Sequence, residues 1–422
     1  METWIVGGQR TPFVKSFTHY KNFSTQFLMT SALSALVNKF KLQNKVLGDV
    51  ALGAVINSST KWALARESML DSGLSPYTPA VFIQRACGTG LEATGHIANK
   101  IKLNQIEWGI AGGVDTNSDM PLMFSEPLRQ LFLKLRTQKT FIDKLKTLTH
   151  LKVRDLKPLL PGVQEARTGL SMGEHCEKMV QAWHISREEQ DKLAFVSHQN
   201  AVKAVLEGFH QDLICEVAGL VADSTPRADT TLEKLAQLKT AFDKTPAGSL
   251  TAGNSSPLSD GASAVLLSNE ARCRQENLTP LAAFKDWEVA AIDFVGGDGL
   301  LMAPTVAVSR LLARNHLSLQ DFDYYEIHEA FAGQVLCTLK AWQDDAYAKK
   351  YLGRERALGA IDLTKMNVKG GSVALGHPFA ATGARIVASL AKMLHQDKQA
   401  KRGLISICTA GGMGVAAILE RI

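Results

Sequence analysis

Two cysteines and two histidines stand where their side chains could do chemistry. Cys87 lies in Arg-Ala-Cys-Gly-Thr-Gly, where the apolar segment Ala80-Val-Phe-Ile-Gln gives way to a helical pattern. A cysteine at such a join meets unpaired backbone N–H groups and the positive end of a helix dipole, which favour thiolate over thiol. The adjacent glycines let a substrate carbonyl approach the backbone closely. A small, inert core cysteine is the competing reading. His377 sits in Gly-His-Pro, with Gly370, Gly371 and Gly376 just upstream, ahead of a second helical pattern. An imidazole there is placed to take a thiol proton, although a solitary histidine is more often structural. His328 opens His-Glu-Ala-Phe-Ala after the strand-like Tyr324-Tyr-Glu-Ile. Position 332 is alanine, so this is not a zinc-binding HExxH. Cys408 closes a strand before Thr-Ala410-Gly411-Gly412, where backbone N–H groups could face a developing oxyanion. Each residue alone is weak evidence. Together, each at a strand end beside glycine or a helix start, they form one candidate site.

The elements around them repeat. The segment Ala80 to Gln84, Cys87, a helix containing Ala93-Thr94-Gly95, and the strand Trp108-Gly-Ile-Ala ending in Gly112-Gly113 share an order with a later stretch. There, Met366-Asn-Val-Lys leads into His377, a helix containing Ala381-Thr382-Gly383, and the strand Leu404-Ile-Ser-Ile before Gly411-Gly412. Alternating strands and helices read as α/β units with parallel pairing. The order predicts two related halves, with chance similarity of two β–loop–α–β units as the alternative. Gly88-Thr-Gly90-Leu-Glu-Ala93 also fits a dinucleotide fingerprint, with Glu107 downstream, and keeps a nicotinamide dehydrogenase in play. Cys87 would then have no task.

Between the halves the texture changes. From about residue 121 to 246 the chain is polar and helical in pattern. Leu128, Leu131, Leu135, Ile142, Leu145 and Leu148 form a helical stripe, and Ser186-Arg-Glu-Glu reads as a capping box. Nine Lys/Arg against two Asp between Arg129 and Lys157 put +7 there, more than the net +6 of the chain. Charge so localised argues against nucleic-acid binding over a broad face. It suits a phosphate-facing surface, an amphipathic membrane or partner patch, or a solvated cover.

At 422 residues, two or three domains are expected. No apolar run reaches the roughly 18 residues of a membrane span. The opening Met1-Glu-Thr-Trp-Ile-Val enters a strand at once, so no leader is expected. Six scattered cysteines without a CxxC pair predict neither zinc cluster nor disulfide framework and fit a reducing cytoplasm. Cys215, Cys273 and Cys337 read as small apolar side chains.

The blocks around Cys87 (RACGTG), His328 (HEAFAGQ), His377 (NVKGGSVALGHPFAATGAR) and Cys408 (CTAGGMG) resemble the four active-site blocks of thiolases. Gly-Gln-Arg-Thr-Pro-Phe near the start, Ala111-Gly-Gly-Val-Asp and Thr251-Ala-Gly-Asn-Ser-Ser-Pro-Leu-Ser-Asp-Gly-Ala match too, so the resemblance spans the chain. The chain is especially similar to the thiolase subunit branch of bacterial fatty-acid β-oxidation complexes. The resemblance implies an α/β fold: two duplicated halves, each with a mixed five-stranded sheet, in an αβαβα five-layer sandwich with an inserted helical loop domain. The implied divisions are 1–120, 121–246 (the insertion), 247–272 (completing the first half) and 273–422. It also implies a homodimer or dimer of dimers, possible pairing with a hydratase–dehydrogenase subunit, coenzyme A as co-substrate, and no metal.

By the same resemblance Cys87 carries the acyl group, His377 takes its proton, His328 and His377 hold the enolate oxygen, and Cys408 moves the second proton. The backbone N–H groups of Cys87 and Ala410 form an oxyanion hole. Ser256 and Ala252 line the pantetheine channel and Met172 the acyl pocket, with basic residues of the insertion facing the CoA phosphates. His328 stands where many thiolases have Asn, which leaves open whether the oxygen is held directly or through water. A 3-oxoacyl-ACP or polyketide synthase is the nearest rival, but a decarboxylating condensation has no use for Cys408. An acetoacetyl-CoA-specific acetyltransferase shares these motifs, and a scaffold subunit docked on a membrane is the remaining class.

Overall fold

The computed structural model describes residues 1–162 and 164–422. Its strands are β1 (Trp4–Arg10), β2 (Val14–Lys15), β3 (Asp49–Gly53), β4 (Ala80–Phe82), β5 (Trp108–Asp115), β6 (Ser259–Ser268), β7 (Ala282–Ala291), β8 (Tyr324–Ile327), β9 (Arg402–Thr409) and β10 (Met413–Glu420). The first half runs β4-β3-β5-β6-β1, with β4, β3 and β5 parallel and β6 antiparallel to both neighbours. The second half runs β8-β9-β10-β7, with β8 and β9 parallel and the rest antiparallel. The plan is the same, one strand short.

Where β4 would have its counterpart, Met366 makes a lone parallel bridge to Tyr325. The reason is local. Asn367 adopts φ 46°, which ends any extended run, and its side-chain amide replaces the ladder by bonding Ile327 N–H and C=O, each at 2.9 Å. The two halves meet edge to edge at Trp4–Ala283 and Ile5–Ala282.

Two helices, Thr89–Lys102 and Ala381–Gln396, fill the space between the half-sheets and share an apolar core with both. Ala381 to Leu394 are buried without a break, as a helix covered on every side must be. Thr25–Lys39 and Leu64–Leu70 cover the outer face of the first half, and Ala303–Asn315 that of the second. These are the five layers, and the middle helices both start at the site.

Antiparallel neighbours β5 and β6 end and begin at Asp115 and Ser259, so the chain between them leaves the sheet and returns. Its longest helix, Arg187–Leu206, begins with the expected capping box: Ser186 Oγ accepts from Glu189 N–H, and Glu189 accepts from Ser186 N–H at 2.7 Å. The leucine stripe is not one helix. It splits into Glu126–Thr137 and Phe141–Leu148, because Gln138 is extended and Thr140 caps the second segment. Leu128 is buried, but Phe132, Leu133, Phe141, Ile142, Leu145 and Leu148 are exposed.

Candidate active site

The turn carrying Cys87 is held under strain. Ala86 has φ 42°, a left-handed conformation unusual for a residue with a Cβ. Thr89 Oγ1 fastens the turn by accepting from Arg85 N–H (2.9 Å) and donating to Ala86 C=O (2.7 Å). Gly88 admits the other half: a Cβ there would stand 2.8 Å from Val415 Cγ2 and 2.9 Å from Thr409 Cγ2. Strands β9 and β10 therefore press against the nucleophile turn.

Cys87 lies just ahead of the helix rather than in it, and the helix is expected to favour thiolate. The balance runs the other way. Although the residue as a whole is half-buried, burial pushes its thiol up to about 12. The N–H groups of Ala410 and of Cys87 itself pull it down, whereas the Asp115 and Glu165 carboxylates push it further up. The resting sulfur is a thiol.

The imidazoles of His328 and His377 lie side by side, ring centres 4.2 Å apart and planes at 49°. His377 Nδ1 meets Thr382 Oγ1 at 2.6 Å, and His328 Nδ1 meets Ser372 Oγ at 3.0 Å. The Nε2 atom of each is buried with no hydrogen-bond partner in the protein. Such an atom is costly to leave bare, and in an active site it is where substrate binds. Burial, with Arg385 nearby, lowers His377 to about 3. Burial, then His377 and Arg385, holds His328 well below its ordinary value. Both rings are neutral.

Cys408 is buried at the end of β9, and its thiol is pushed well up by burial and, next, by Cys87. Its sulfur also receives the Ala330 N–H of the His328 loop. Cys408 thus lies against Cys87 and the His328 loop, His328 lies against His377, and the Ala410 N–H reaches the Cys87 sulfur.

Several supports had no role assigned from the sequence, although Glu329 and Asp115 lie within the motif blocks. The buried Glu329 carboxylate accepts from Ser197 Oγ (2.7 Å), Asn367 Nδ2 (2.6 Å) and Val373 N–H (3.1 Å), tying the His328 loop to the segment before His377. Asp115, at the end of β5, accepts from the Val55, Ile56 and Ala380 N–H groups and so holds the start of the second central helix. Glu165, from the excursion between β5 and β6, accepts from Gly411 N–H at 2.7 Å, beside Cys408 and Ala410. Ser372 and Thr382 were in view within the His377 block, as the polar residues of an otherwise small and apolar run.

A cavity of about 490 Å³ adjoins these loops. Ala252 and Ser256 line it, with Phe242, Leu258, Arg227 and Lys234. Its wall is continuous with the site: Ser256 N–H donates to Ala330 C=O at 3.0 Å, Ser255 bridges Phe331, and Leu258 bridges His377. Met172 packs against the apolar cluster that contains Cys408 and Phe331. No residue of 129–157 is among the described walls, and the cationic ones are Lys15, Arg227 and Lys234.

The chain belongs to the thiolase family: the models for the thiolase N-terminal and C-terminal domains match residues 3–271 and 278–421. Thiolases are acyltransferases. The chain is 39% identical to a 3-ketoacyl-CoA thiolase of Serratia proteamaculans, over 99% of this chain and 96% of the relative. It is 37% identical to a 3-ketoacyl-CoA thiolase of Yersinia pestis, with the same coverage. Among solved structures, human mitochondrial 3-ketoacyl-CoA thiolase in complex with CoA superposes with a TM-score of 0.82 at 29% identity, covering 100% of this chain and 98% of that one. The acetyl-CoA acetyltransferase of Bacillus anthracis gives 0.81 at 31% identity, covering 100% and 99%.

Proposed function

We propose that the protein is a 3-ketoacyl-CoA thiolase that uses CoA to split a 3-oxoacyl-CoA into acetyl-CoA and a shortened acyl-CoA, in fatty-acid β-oxidation. One arrangement supports the reading: Cys408 lies against Cys87 and receives the Ala330 N–H of the His328 loop, the Ala410 N–H reaches Cys87, and the adjacent His328 and His377 rings each keep an Nε2 without a protein partner.

The chemistry follows from the neutral resting state. His377 Nε2 takes the Cys87 proton as the sulfur attacks the C3 carbonyl, and the Cys87 and Ala410 N–H groups meet the oxyanion. The C2–C3 bond breaks and its electron pair forms the acetyl-CoA enolate, whose oxygen meets His328 Nε2. Cys408 gives its proton to C2. The Cys408 thiolate then takes the proton of incoming CoA, and the CoA sulfur displaces the acyl group from Cys87. Cys87 recovers its proton from His377. Run backwards, the same groups condense two acyl-CoAs.

Ser256 and Ala252 would lie along the pantetheine and Met172 along the acyl chain. Arg227 and Lys234 on the cavity wall suit the CoA phosphates better than the basic residues of 129–157. CoA-dependent thiolysis across C4 to C16 3-oxoacyl-CoAs tests the reading. Activity confined to C4 would favour the alternative, an acetoacetyl-CoA acetyltransferase, and none at any length would defeat both.

The division 1–120, 121–246, 247–272 and 273–422 is part of this proposal. So is a homodimer, for which the edge strand β4 leaves one side unpaired. A reducing cytoplasm suits the six free cysteines. Among the described residues no helix is long and apolar enough to cross a membrane. The exposed apolar side chains of Glu126–Thr137 and Phe141–Leu148, set among basic ones, suit docking on an anionic lipid surface. Sedimentation with anionic vesicles tests this, and failure there with capture by a hydratase–dehydrogenase subunit would reassign the face.

A further inference from the structure

Of the two histidines, His328 is the one whose proton the hydrogen-bond network locates. Arg385, on the central helix Ala381–Gln396, is 2% exposed, and its guanidinium lies 3.8 Å from the buried Glu326 carboxylate of β8. Arg385 Nη2 donates to Ser372 Oγ at 3.0 Å. A guanidinium only donates, so this contact uses an acceptor site of the hydroxyl and leaves its hydrogen free. Ser372 is fully buried, and among the described residues the one acceptor bonded to its hydroxyl is His328 Nδ1, also at 3.0 Å. If Nδ1 carried the proton, the Ser372 hydrogen would be buried without a partner, which costs stability. The direction of the chain is therefore set from the arginine outwards.

We propose that Arg385 and Ser372 are positioning residues that fix His328 in its Nε2–H tautomer, making it a permanent hydrogen-bond donor aimed at the substrate oxygen. This rests on the thiolase reading and deepens it. An asparagine has an N–H donor whatever its surroundings, whereas a neutral imidazole has one at Nε2 in only one of two tautomers. A histidine at this position needs a neighbour to choose for it. The buried positive charge of Arg385 does a second service, since it opposes protonation of the ring. His377, bonded at Nδ1 to Thr382, lies outside this chain and keeps its separate task as base.

The test uses the full-length protein labelled with 15N-histidine, the His328 signals being assigned by their loss in His328→Asn. The unsubstituted protein is expected to show a protonated Nε2 and an unprotonated Nδ1. Ser372→Ala should give a tautomer mixture and lower kcat for thiolysis about 10- to 100-fold, short of the 10²- to 10³-fold typical of removing an oxyanion donor. Ser372→Thr, which keeps the hydroxyl, should restore tautomer and rate. Placed in a His328→Asn background, Ser372→Ala should cost little more, because asparagine has no tautomer to set. A role limited to packing would instead make the two losses add. A protonated Nδ1 in the unsubstituted protein, or an unchanged kcat in Ser372→Ala, overturns the proposal. Mass spectrometry of the acyl-enzyme separates the two levels. An acyl group on Cys87 with a silent Ser372→Ala defeats only the tautomer chain, and no acyl-enzyme at all defeats the thiolase reading with it.

Discussion

Gly90 and Gly383 meet backbone to backbone where the two central helices cross. A Cβ on Gly90 would lie 2.6 Å from Ala384 N, and one on Gly383 2.3 Å from Leu91 N. Neither neighbour is a side chain that could turn away. Gly90→Ala is therefore expected to destabilise the protein by about 1–3 kcal/mol, as overpacking in a rigid core does. It should also lower activity, since both helices start at the site. Urea unfolding gives the first quantity and thiolysis the second. An alanine variant of unchanged stability would mean that the helices can separate.

The two sulfurs should fail differently. Cys87→Ala is expected to form no acyl-enzyme and to lose thiolysis by about 10³-fold or more, as removal of a nucleophile does. Cys408→Ala should still acylate but lose exchange of the acetyl α-protons with solvent. Normal exchange in that variant would remove Cys408 from its assigned step.

Cys87 should titrate upwards. Its thiol is raised to about 12, so the thiolate fraction grows through the accessible range instead of saturating. Alkylation by iodoacetamide is expected to quicken about tenfold per pH unit from roughly pH 6 to 10. A plateau at or below neutral pH would reveal a preformed thiolate–imidazolium pair in place of the neutral pair described above.

At His328 the identity of the donor matters less than its presence. His328→Ala should lower kcat by about 10²- to 10³-fold, the usual loss for an oxyanion donor. His328→Asn restores an N–H and should recover part of that loss. Equal losses in both would show that position and reach, rather than donation, decide the rate.

Much of this was legible in the chain. Cys87, His328 and Cys408 follow or end strands and His377 stands ahead of a helix, and that local signal survived folding because such turns are what bring side chains to one end of a sheet. The repeat was legible only in outline. Ala93-Thr94-Gly95 matches Ala381-Thr382-Gly383 by letters, yet the glycine that faces Gly383 is Gly90. Position along a helix, not letter order, decides which residues cross. The missing fifth strand followed from the αL conformation of Asn367, which composition does not encode. The leucine stripe misled because a 3.6-residue period continues across a break when the second helix happens to resume in phase. Glu165 reaches the site from the excursion between β5 and β6, and no spacing rule connects it. Arg385 was in view at the end of the His377 block, but letters alone do not show that it turns back to Ser372.

The Asp115 carboxylate belongs to the half that bears the nucleophile, and the Ala380 amide it grips belongs to the half that bears the base. A chimaera splicing the opening portion of one homologue to the closing portion of another would thus inherit a working centre only if this clasp reforms across the graft. Asp115 and the turn before Ala381 therefore answer to each other across the two halves, and neither can be exchanged alone.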